Sequence, residues 1–168
     1  MEEITIVDEN DNITGSEEKM KVHEKGLLHR AFSIFIINSK GEMLLQKRAK
    51  CKYHSGGLWT NTCCGHPRKN EYLESAAKRR LLEETGLVCN LKKAFIFRYR
   101  VKFENGLIEN EIVHVFIGYS DNKPLLNYEE AEDYKWISLE ELSKDVLLSS
   151  NKYTYWFKIA LGKYLQII

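Results

Sequence analysis

Apolar residues recur with two different periods along this chain, and the pattern predicts a mixture of strands and helices. Strands are predicted at residues 3–7, 29–37, 42–48, 94–103, 107–119 and 134–137. Asn38-Ser39-Lys40-Gly41 lies between the second and third of these strands, and Asn105-Gly106 lies between the fourth and fifth. Both connections contain residues that tight turns require, so each pair of strands is predicted to form a hairpin.

Four further segments are predicted to form helices. In residues 71–85 the apolar side chains and Glu84 recur on one helical face, and Gly86 follows as a stop signal. The other predicted helices run from Ser16 to Gly26, from a capping box at Ser138-Leu139-Glu140-Glu141, and over residues 153–166.

Strands and helices are therefore mixed along the chain, and hairpins are frequent. This order predicts an α/β (α+β) protein with a mixed β-sheet sandwiched between helices, and the chain length predicts that residues 1–168 form a single domain. Residues 49–70 are rich in Gly, Cys, Lys and His and show no clear period. A connection of this length is often functional.

Composition narrows the classes of function. Of the 168 residues 43% are hydrophobic, and 25 basic residues nearly balance 24 acidic ones to leave a net charge of +1. This balance argues against a nucleic-acid or anionic-membrane partner. No apolar run approaches the roughly 18 residues of a membrane-spanning helix. Four cysteines, two of them adjacent, favour free thiols in a reducing cytoplasm, and a monomer is the default expectation.

A pair of carboxylates lies on one face of the predicted strand at 107–119. Glu109 and Glu111 share this face with apolar residues, because side chains two apart in a strand point the same way. One interpretation is that both lie at an exposed strand end. The other is that two carboxylates at the rim of a core are stabilised there by a cation.

Three histidines could complete such a cation site. His23, His29 and His66 would add imidazoles to the two carboxylates, a ligand set that suits Zn²⁺, Mn²⁺ or Fe²⁺. These residues come from separate segments, so their spacing alone also leaves a structural role open for each. His54 and His114 are not assigned to the site, and His114 falls on the strand face opposite to the two carboxylates.

Cys64 precedes Gly65-His66-Pro67 and has three possible roles. A free cysteine is most often a buried small apolar residue. A zinc site of four cysteines is disfavoured, because the chain contains no Cys-x-x-Cys pair. A thiol that acts as a nucleophile or proton donor is the third alternative, and a position before a helix N-terminus would favour it by lowering the pKa of the thiol.

Residues 65–87 resemble the Nudix box, a loop–helix–loop motif whose helical carboxylates face a divalent cation that bridges a diphosphate. The matching residues are Gly65, Glu71, Arg79, Leu81, Glu83, Glu84, Gly86 and Leu87. Arg80 departs from the motif, since the hydrolases carry their first helical Glu at this place. Arg80 and Glu84 share a helical face. The replacement of Glu by Arg at position 80 is therefore interpreted as converting a site that activates water into one that binds phosphate.

The wider pattern resembles the type 1 isopentenyl diphosphate isomerases of the Nudix superfamily. The likeness runs from about Lys19 to Trp156 and rests on Cys-Gly-His-Pro at 64–67, Glu-Asn-Glu at 109–111, Gly-Leu-Leu-His-Arg-Ala-Phe-Ser at 26–33 and Leu-Trp-Thr-Asn at 58–61. The resemblance implies a single Nudix-type catalytic domain. It also implies interconversion of isopentenyl and dimethylallyl diphosphate by protonation and deprotonation through a tertiary carbocation.

The resemblance further implies a role for each matching residue. The implied catalytic residues are Cys64, Glu111, Trp156 and Tyr99. The implied ligands of a Mn²⁺ or Zn²⁺ ion are His23, His29, His66, Glu109 and Glu111. A Mg²⁺ ion that bridges the diphosphate would be held by Glu84 and the main-chain carbonyl of Cys64. The implied diphosphate contacts are Lys19, Arg48, Lys52 and Arg80.

Two other functions are compatible with parts of the pattern. A Nudix hydrolase of a nucleoside or other diphosphate would share the fold and the carboxylates of the Nudix helix, but it requires neither Arg80 nor a site of three His and two Glu. A metal-dependent binding module without chemistry would need neither Cys64 nor Glu111 as an acid/base group.

Overall fold

The structure contains strands and helices in a mixed order, as the sequence pattern predicts. The computed structural model describes residues 2–168 of the chain. The strands are β1 (Glu3–Val7), β2 (Ile13–Glu18), β3 (His29–Ile37), β4 (Glu42–Arg48), β5 (Trp59–Thr60), β6 (Cys63–Gly65), β7 (Leu91–Lys102), β8 (Ile108–Tyr119) and β9 (Ala131–Ser138). The helices are α1 (Lys19–Lys25), α2 (Leu73–Thr85), α3 (Leu139–Leu148) and α4 (Tyr155–Tyr164), with a 3₁₀ turn at Ser150–Lys152.

Strand β3 lies inside one mixed sheet of nine strands. β8 pairs with β3 in parallel, and this register begins with His29 opposite Glu111. β1 and β6 pair antiparallel with β3, and β7 pairs antiparallel with β8. The parallel pairing is important for the site, because it brings the first residues of β3 next to the carboxylates of β8.

The predicted hairpin of β3 and β4 opens directly after its turn. The two strands pair at Ile37 and Met43. Farther from the turn, the Thr62 hydroxyl lies between them, donating to the Leu44 carbonyl at 2.6 Å and accepting from the Ile36 amide at 3.0 Å. β6 pairs with β3, whereas β5 and β9 pair with β4. The sheet therefore divides into two arms, with the segment 59–65 between them.

Helices cover both faces of the sheet. On one face, Phe35 lies in a core cluster with Phe157 of α4. On the other face, Ile34 lies in a second cluster with Leu81 of α2. The neighbouring residues Ile34 and Phe35 belong to different clusters because successive side chains of a strand point to opposite faces. The predicted mixed sheet between helices is thus confirmed.

Two predictions for the first half of the chain are wrong in detail. The helix expected from Ser16 begins at Lys19, because residues 13–18 form β2 and pair with β1. These residues lack an alternating apolar pattern, so their strand depends on pairing and not on burial. The segment 49–70, expected as an irregular connection, contains the short strands β5 and β6.

The remaining predicted elements are present with shifted ends. Helix α2 begins at Leu73 and ends before Gly86, whose φ of 67° is left-handed and suits glycine. The Ser138 hydroxyl accepts a hydrogen bond from the Glu141 amide, as the capping box predicts. Helix α4 is shorter than the expected 153–166. Within residues 2–168, none of the helices is long and apolar enough to cross a membrane.

Candidate active site

One pocket brings together most of the residues that the sequence predicted for the site. Its lining includes Lys19, Arg48, Lys52, Cys64, His66, Arg80, Glu84, Tyr99, Glu109, Glu111 and Trp156. His23 and His29 are fully buried and contact the carboxylates of this lining. The pocket therefore collects residues from both arms of the sheet, from α2 and from α4.

The histidines and carboxylates converge as the parallel register of β3 and β8 requires. His23, His29, His66, Glu109 and Glu111 each offer one ligand atom, and these atoms lie within 4.8 Å of one another. Glu109 and Glu111 point to the same side because they are two apart in β8. His29 begins β3, His66 follows β6, and His23 lies in the last turn of α1. Four separate elements thus build one cluster.

Two buried imidazoles turn a lone pair toward a carboxylate. The Nδ1 atoms of His23 and His29 lie 2.6 Å and 2.8 Å from the carbonyl oxygens of Lys19 and Leu27. A carbonyl only accepts, so each Nδ1 carries a proton and Nε2 of the neutral ring is an acceptor. Both Nε2 atoms face Glu109, at 3.2 Å and 3.5 Å. Acceptors placed face to face need a cation between them, so these residues fit a divalent metal ion.

Protonation relieves this arrangement only in part. Burial alone would lower the pKa of His29, but the Glu109 and Glu111 carboxylates beside its ring raise it to about 10. Burial lowers the pKa of His66 to about 4 in spite of its bond to Glu111. Burial opposes ionisation of both carboxyl groups, yet the neighbouring histidines hold each pKa below its usual value. Two ionised carboxylates therefore face a single protonated imidazole, that of His29. A cation at the centre of the cluster would balance the remaining negative charge.

The two adjacent cysteines point to opposite sides of β6. Cys63 is fully buried in the core beneath α2, whereas Cys64 lines the pocket. Cys64 lies in a strand and not in a loop, and desolvation raises the pKa of its thiol to about 12. The expected lowering of this pKa by a helix N-terminus is therefore wrong. Cys64 is a protonated thiol at neutral pH and can donate a proton.

Arg80 lies between carboxylates at the other end of the pocket. Its guanidinium is 2.5 Å from Glu84 Oε1 and 2.9 Å from Glu130 Oε1. Glu130 Oε2 lies 2.6 Å from Lys52 Nζ, and Gln46 Nε2 donates to Glu84 Oε2 at 2.9 Å. Burial opposes ionisation of Glu130, but Lys52 and Arg80 lower its pKa to about 2. This end of the pocket holds two cations and two carboxylates within reach of one another.

Aromatic side chains also line the pocket. Trp156 is 4% exposed, and the Arg48 guanidinium lies 5.2 Å from the centre of its ring. Tyr99 is opposite Glu111 in the β7–β8 register. Burial raises the pKa of Tyr99 well above its ordinary value, and the nearby Glu111 and Glu109 add to this effect. Lys19 lies 5.4 Å from the centre of the Tyr53 ring.

Two residues at the site, His54 and Glu130, could not be assigned from the sequence pattern. His54 Nε2 lies 2.6 Å from Glu109 Oε1. Glu130 bonds to both Lys52 and Arg80. His54 belongs to a stretch without a period, and Glu130 belongs to an acidic run that reads as a solvated surface. Their contacts span 55 and up to 78 positions of the chain, so no local pattern could reveal them.

Comparison with known proteins finds relatives along most of the chain. Residues 27–157 match the NUDIX domain family. The chain is 51% identical over 165 residues to isopentenyl-diphosphate Delta-isomerase 2 of Aromatoleum aromaticum, covering 98% of this chain and 87% of the relative. It is 54% identical over 159 residues to isopentenyl-diphosphate Delta-isomerase 2 of Photorhabdus laumondii, covering 94% and 90%. A solved structure from Deinococcus radiodurans shares the fold, with a TM-score of 0.73 at 18% identity over 88% of this chain and 90% of that chain.

Proposed function

Because the chain belongs to the NUDIX domain family and, within it, to the isopentenyl-diphosphate Delta-isomerases, we propose that it interconverts isopentenyl and dimethylallyl diphosphate with Cys64 and Glu111 as its proton-transfer groups. The observation that carries this assignment is the pairing of a thiol and a carboxylate in one pocket. Cys64 belongs to β6 and Glu111 to β8, and both line it.

The reaction moves a double bond by adding a proton to one carbon and removing a proton from another. One acid and one base are therefore needed in the same pocket. Cys64 keeps its proton at neutral pH, and Glu111 is ionised because its pKa is lowered. In this protonation state Cys64 gives its proton to the alkene, and Glu111 then removes a proton from the carbon next to the centre of the tertiary cation. A proton returns between them before the next turnover, and their roles exchange in the reverse direction.

The aromatic side chains protect the cation while it exists. Trp156 offers a ring face that would stabilise a cation by about 1–2 kcal/mol in a desolvated site. Tyr99 remains a neutral phenol beside Glu111. Together they exclude water, which would otherwise capture the cation as an alcohol.

The basic residues hold the diphosphate, which is not cleaved. Lys19, Arg48, Lys52 and Arg80 line the same pocket as the acid/base pair. Glu84 and the main-chain carbonyl of Cys64 would hold a Mg²⁺ ion there. Arg80 occupies a helical position that a hydrolase would give to a carboxylate, so the arrangement favours binding of the diphosphate over activation of water.

A Mn²⁺ or Zn²⁺ ion would be held by His23, His29, His66, Glu109 and Glu111. When bound, this ion would supply positive charge that orients Glu111 and adjusts its acidity. We further propose that residues 1–168 act as one catalytic domain, as a monomer and in the cytoplasm. All four cysteines are free thiols, which is consistent with a reducing compartment.

Substitution of the two acid/base groups tests the proposal. Cys64→Ala and Glu111→Gln should each lower kcat by about 10²–10⁴-fold, the usual contribution of one proton-transfer group. Cys63→Ala is the matched control, because Cys63 packs in the core and should leave kcat nearly unchanged. NMR would follow formation of dimethylallyl diphosphate, and circular dichroism would verify the fold. Equal losses at Cys63 and Cys64, or release of phosphate from the substrate, would contradict the assignment.

A further inference from the structure

His54 lies against the cluster of histidines and carboxylates without belonging to it. It is 7% exposed, and its Nε2 atom lies 2.6 Å from Glu109 Oε1. The five residues whose ligand atoms lie within 4.8 Å of one another do not include it. We infer that His54 is a positioning residue for isomerisation, which orients the Glu109 carboxylate toward the metal. This inference rests on the function proposed above.

The direction of the hydrogen bonds follows from the chemistry of the partners. An ionised carboxylate only accepts, so Nε2 of His54 must carry the proton that it donates to Glu109. Nδ1 of the neutral ring is then an acceptor, and the Ser55 hydroxyl lies 3.2 Å from it. Ser55 has a φ of 52°, a left-handed conformation that few residues other than glycine adopt. The backbone bend at Ser55 thus places a hydroxyl where it can donate to Nδ1 of the tautomer that Glu109 requires.

Aromatic packing holds the imidazole ring in this orientation. The His54 ring stacks on Phe103 with centroids 4.4 Å apart and an interplanar angle of 12°. It is nearly perpendicular to the rings of Tyr53 and Trp156, with centroids 4.5 Å and 5.6 Å away. A ring that is fixed on three sides and bonded at both nitrogen atoms has little freedom to turn.

The Glu109 carboxylate depends on the hydrogen bond from His54, because the neutral imidazole rings of His23 and His29 do not donate to it. Oε1 lies 3.2 Å from Nε2 of His23, and Oε2 lies 3.5 Å from Nε2 of His29. Both of these rings carry their protons on Nδ1, as their carbonyl partners require. His54 is therefore the neighbouring imidazole that can donate to Glu109 while the lone pairs of His23 and His29 remain free. Such partners of metal ligands typically contribute about 10- to 100-fold to metal affinity.

The backbone carbonyl of His54 contacts Arg48, one of the residues proposed to bind the diphosphate. It accepts a hydrogen bond from Arg48 Nη2 at 3.2 Å, and the same guanidinium covers the Trp156 ring. This second contact is made by the backbone and survives substitution of the side chain. A side-chain variant should therefore affect the metal cluster more strongly than the binding of the diphosphate.

Zn²⁺ affinity of the full-length enzyme distinguishes a positioning residue from a packing residue. Metal would be removed with a chelator, and affinity would then be measured by competition with a chromophoric chelator for wild type, His54→Gln and His54→Met. Gln and Met are similar in length, but only Gln keeps an N–H donor. His54→Met should weaken Zn²⁺ binding by about 10- to 100-fold. His54→Gln should recover most of this loss.

A second buried histidine provides the matched control. His114 Nε2 also bonds to a carboxylate, Asp11 Oδ2 at 2.8 Å, outside the pocket lining. His114→Met should leave Zn²⁺ affinity unchanged. At saturating Zn²⁺, His54→Met should lower kcat while KM for isopentenyl diphosphate stays near the wild-type value. If His54→Met does not fold by circular dichroism, His54→Phe takes its place, because Phe keeps the stacking on Phe103 without the donor.

The outcomes separate this inference from the proposed function. If wild type binds Zn²⁺ and the donor-free variant binds it equally well, the role of His54 is wrong and the metal site stands. Equal weakening in His54→Gln and His54→Met, or equal weakening in His114→Met, would likewise overturn it in favour of packing. A wild-type enzyme that binds no metal and remains active would instead overturn the proposed metal centre.

Discussion

Replacement of Arg80 by alanine tests whether the arginine of the Nudix helix binds the diphosphate. Arg80 lies one turn before Glu84 and lines the pocket. Its guanidinium is shared among Glu83, Glu84 and Glu130 at 2.8, 2.5 and 2.9 Å. A planar fork of donors suits both these carboxylates and the oxygens of a diphosphate.

The expected loss in kcat/KM depends on the charged groups that remain in the pocket after Arg80 is removed. Arg80→Ala removes a fixed positive charge and leaves Glu84 and Glu130 facing an anionic substrate. The side chains of Glu84 and Glu130 are 4% and 20% exposed, so water replaces the lost charge poorly. Truncation of one partner of a buried charge pair typically costs about 2–5 kcal/mol. We therefore expect a higher KM and a loss in kcat/KM of about 2–4 kcal/mol, or roughly 30- to 1,000-fold.

Arg79 offers a matched control on the same helix. It pairs with Glu71 at 2.7 Å and with Glu83 at 3.1 Å, away from the pocket lining. Arg79→Ala should leave kcat/KM nearly unchanged, while both variants are compared by thermal unfolding. Initial rates of dimethylallyl diphosphate formation over a range of substrate concentrations separate KM from kcat.

An unchanged kcat/KM in folded Arg80→Ala would refute the reasoning. Arg80 would then be a surface residue whose ion pairs contribute well under about 1 kcal/mol. Arg80→Glu restores the charge pattern of a hydrolase and should be more severe than alanine, because a further carboxylate would face the diphosphate. Release of phosphate from a nucleoside diphosphate by the wild-type enzyme would revive the hydrolase interpretation.

Three further expectations concern the metal, the thiol and the aromatic ring. Exhaustive chelation should abolish isomerisation and increase hydrogen exchange around His23 and His29; full activity with metal shown absent by elemental analysis would contradict a metal centre. In chelator-treated protein, iodoacetamide should modify Cys64 about tenfold faster for each pH unit between 7 and 10, because its pKa of about 12 lies above this range; a plateau below pH 9, measured by peptide mass spectrometry, would show a lower pKa. Trp156→Phe should retain more activity than Trp156→Leu, since only Phe keeps a ring face toward the cation; equal kcat values would leave Trp156 a packing role alone.

Local chemistry explains which parts of this molecule were predictable from the sequence. The helix at 71–85, the turn at Asn105-Gly106 and the cap at Ser138 are governed by residues within a few positions of each other. The shared face of Glu109 and Glu111 follows in the same way from the two-residue period of a strand. The structure confirms the helix, the turn, the helix cap and the shared strand face. The sequence by itself also carried the motifs that mark the family, because their residues are contiguous or regularly spaced.

Tertiary pairing decided what local patterns could not. Residues 13–18 form a strand because β1 is available to pair with them, although their own composition does not favour one. The hydroxyl of Thr62 separates β3 from β4, and this insertion divides the sheet into two arms. The parallel register of β3 with β8 then places His29 beside Glu111. The partners of His54 and Glu130 are distant in the chain. The sequence specified the chemistry of these two side chains, but only the folded sheet and pocket determined which charged groups they contact.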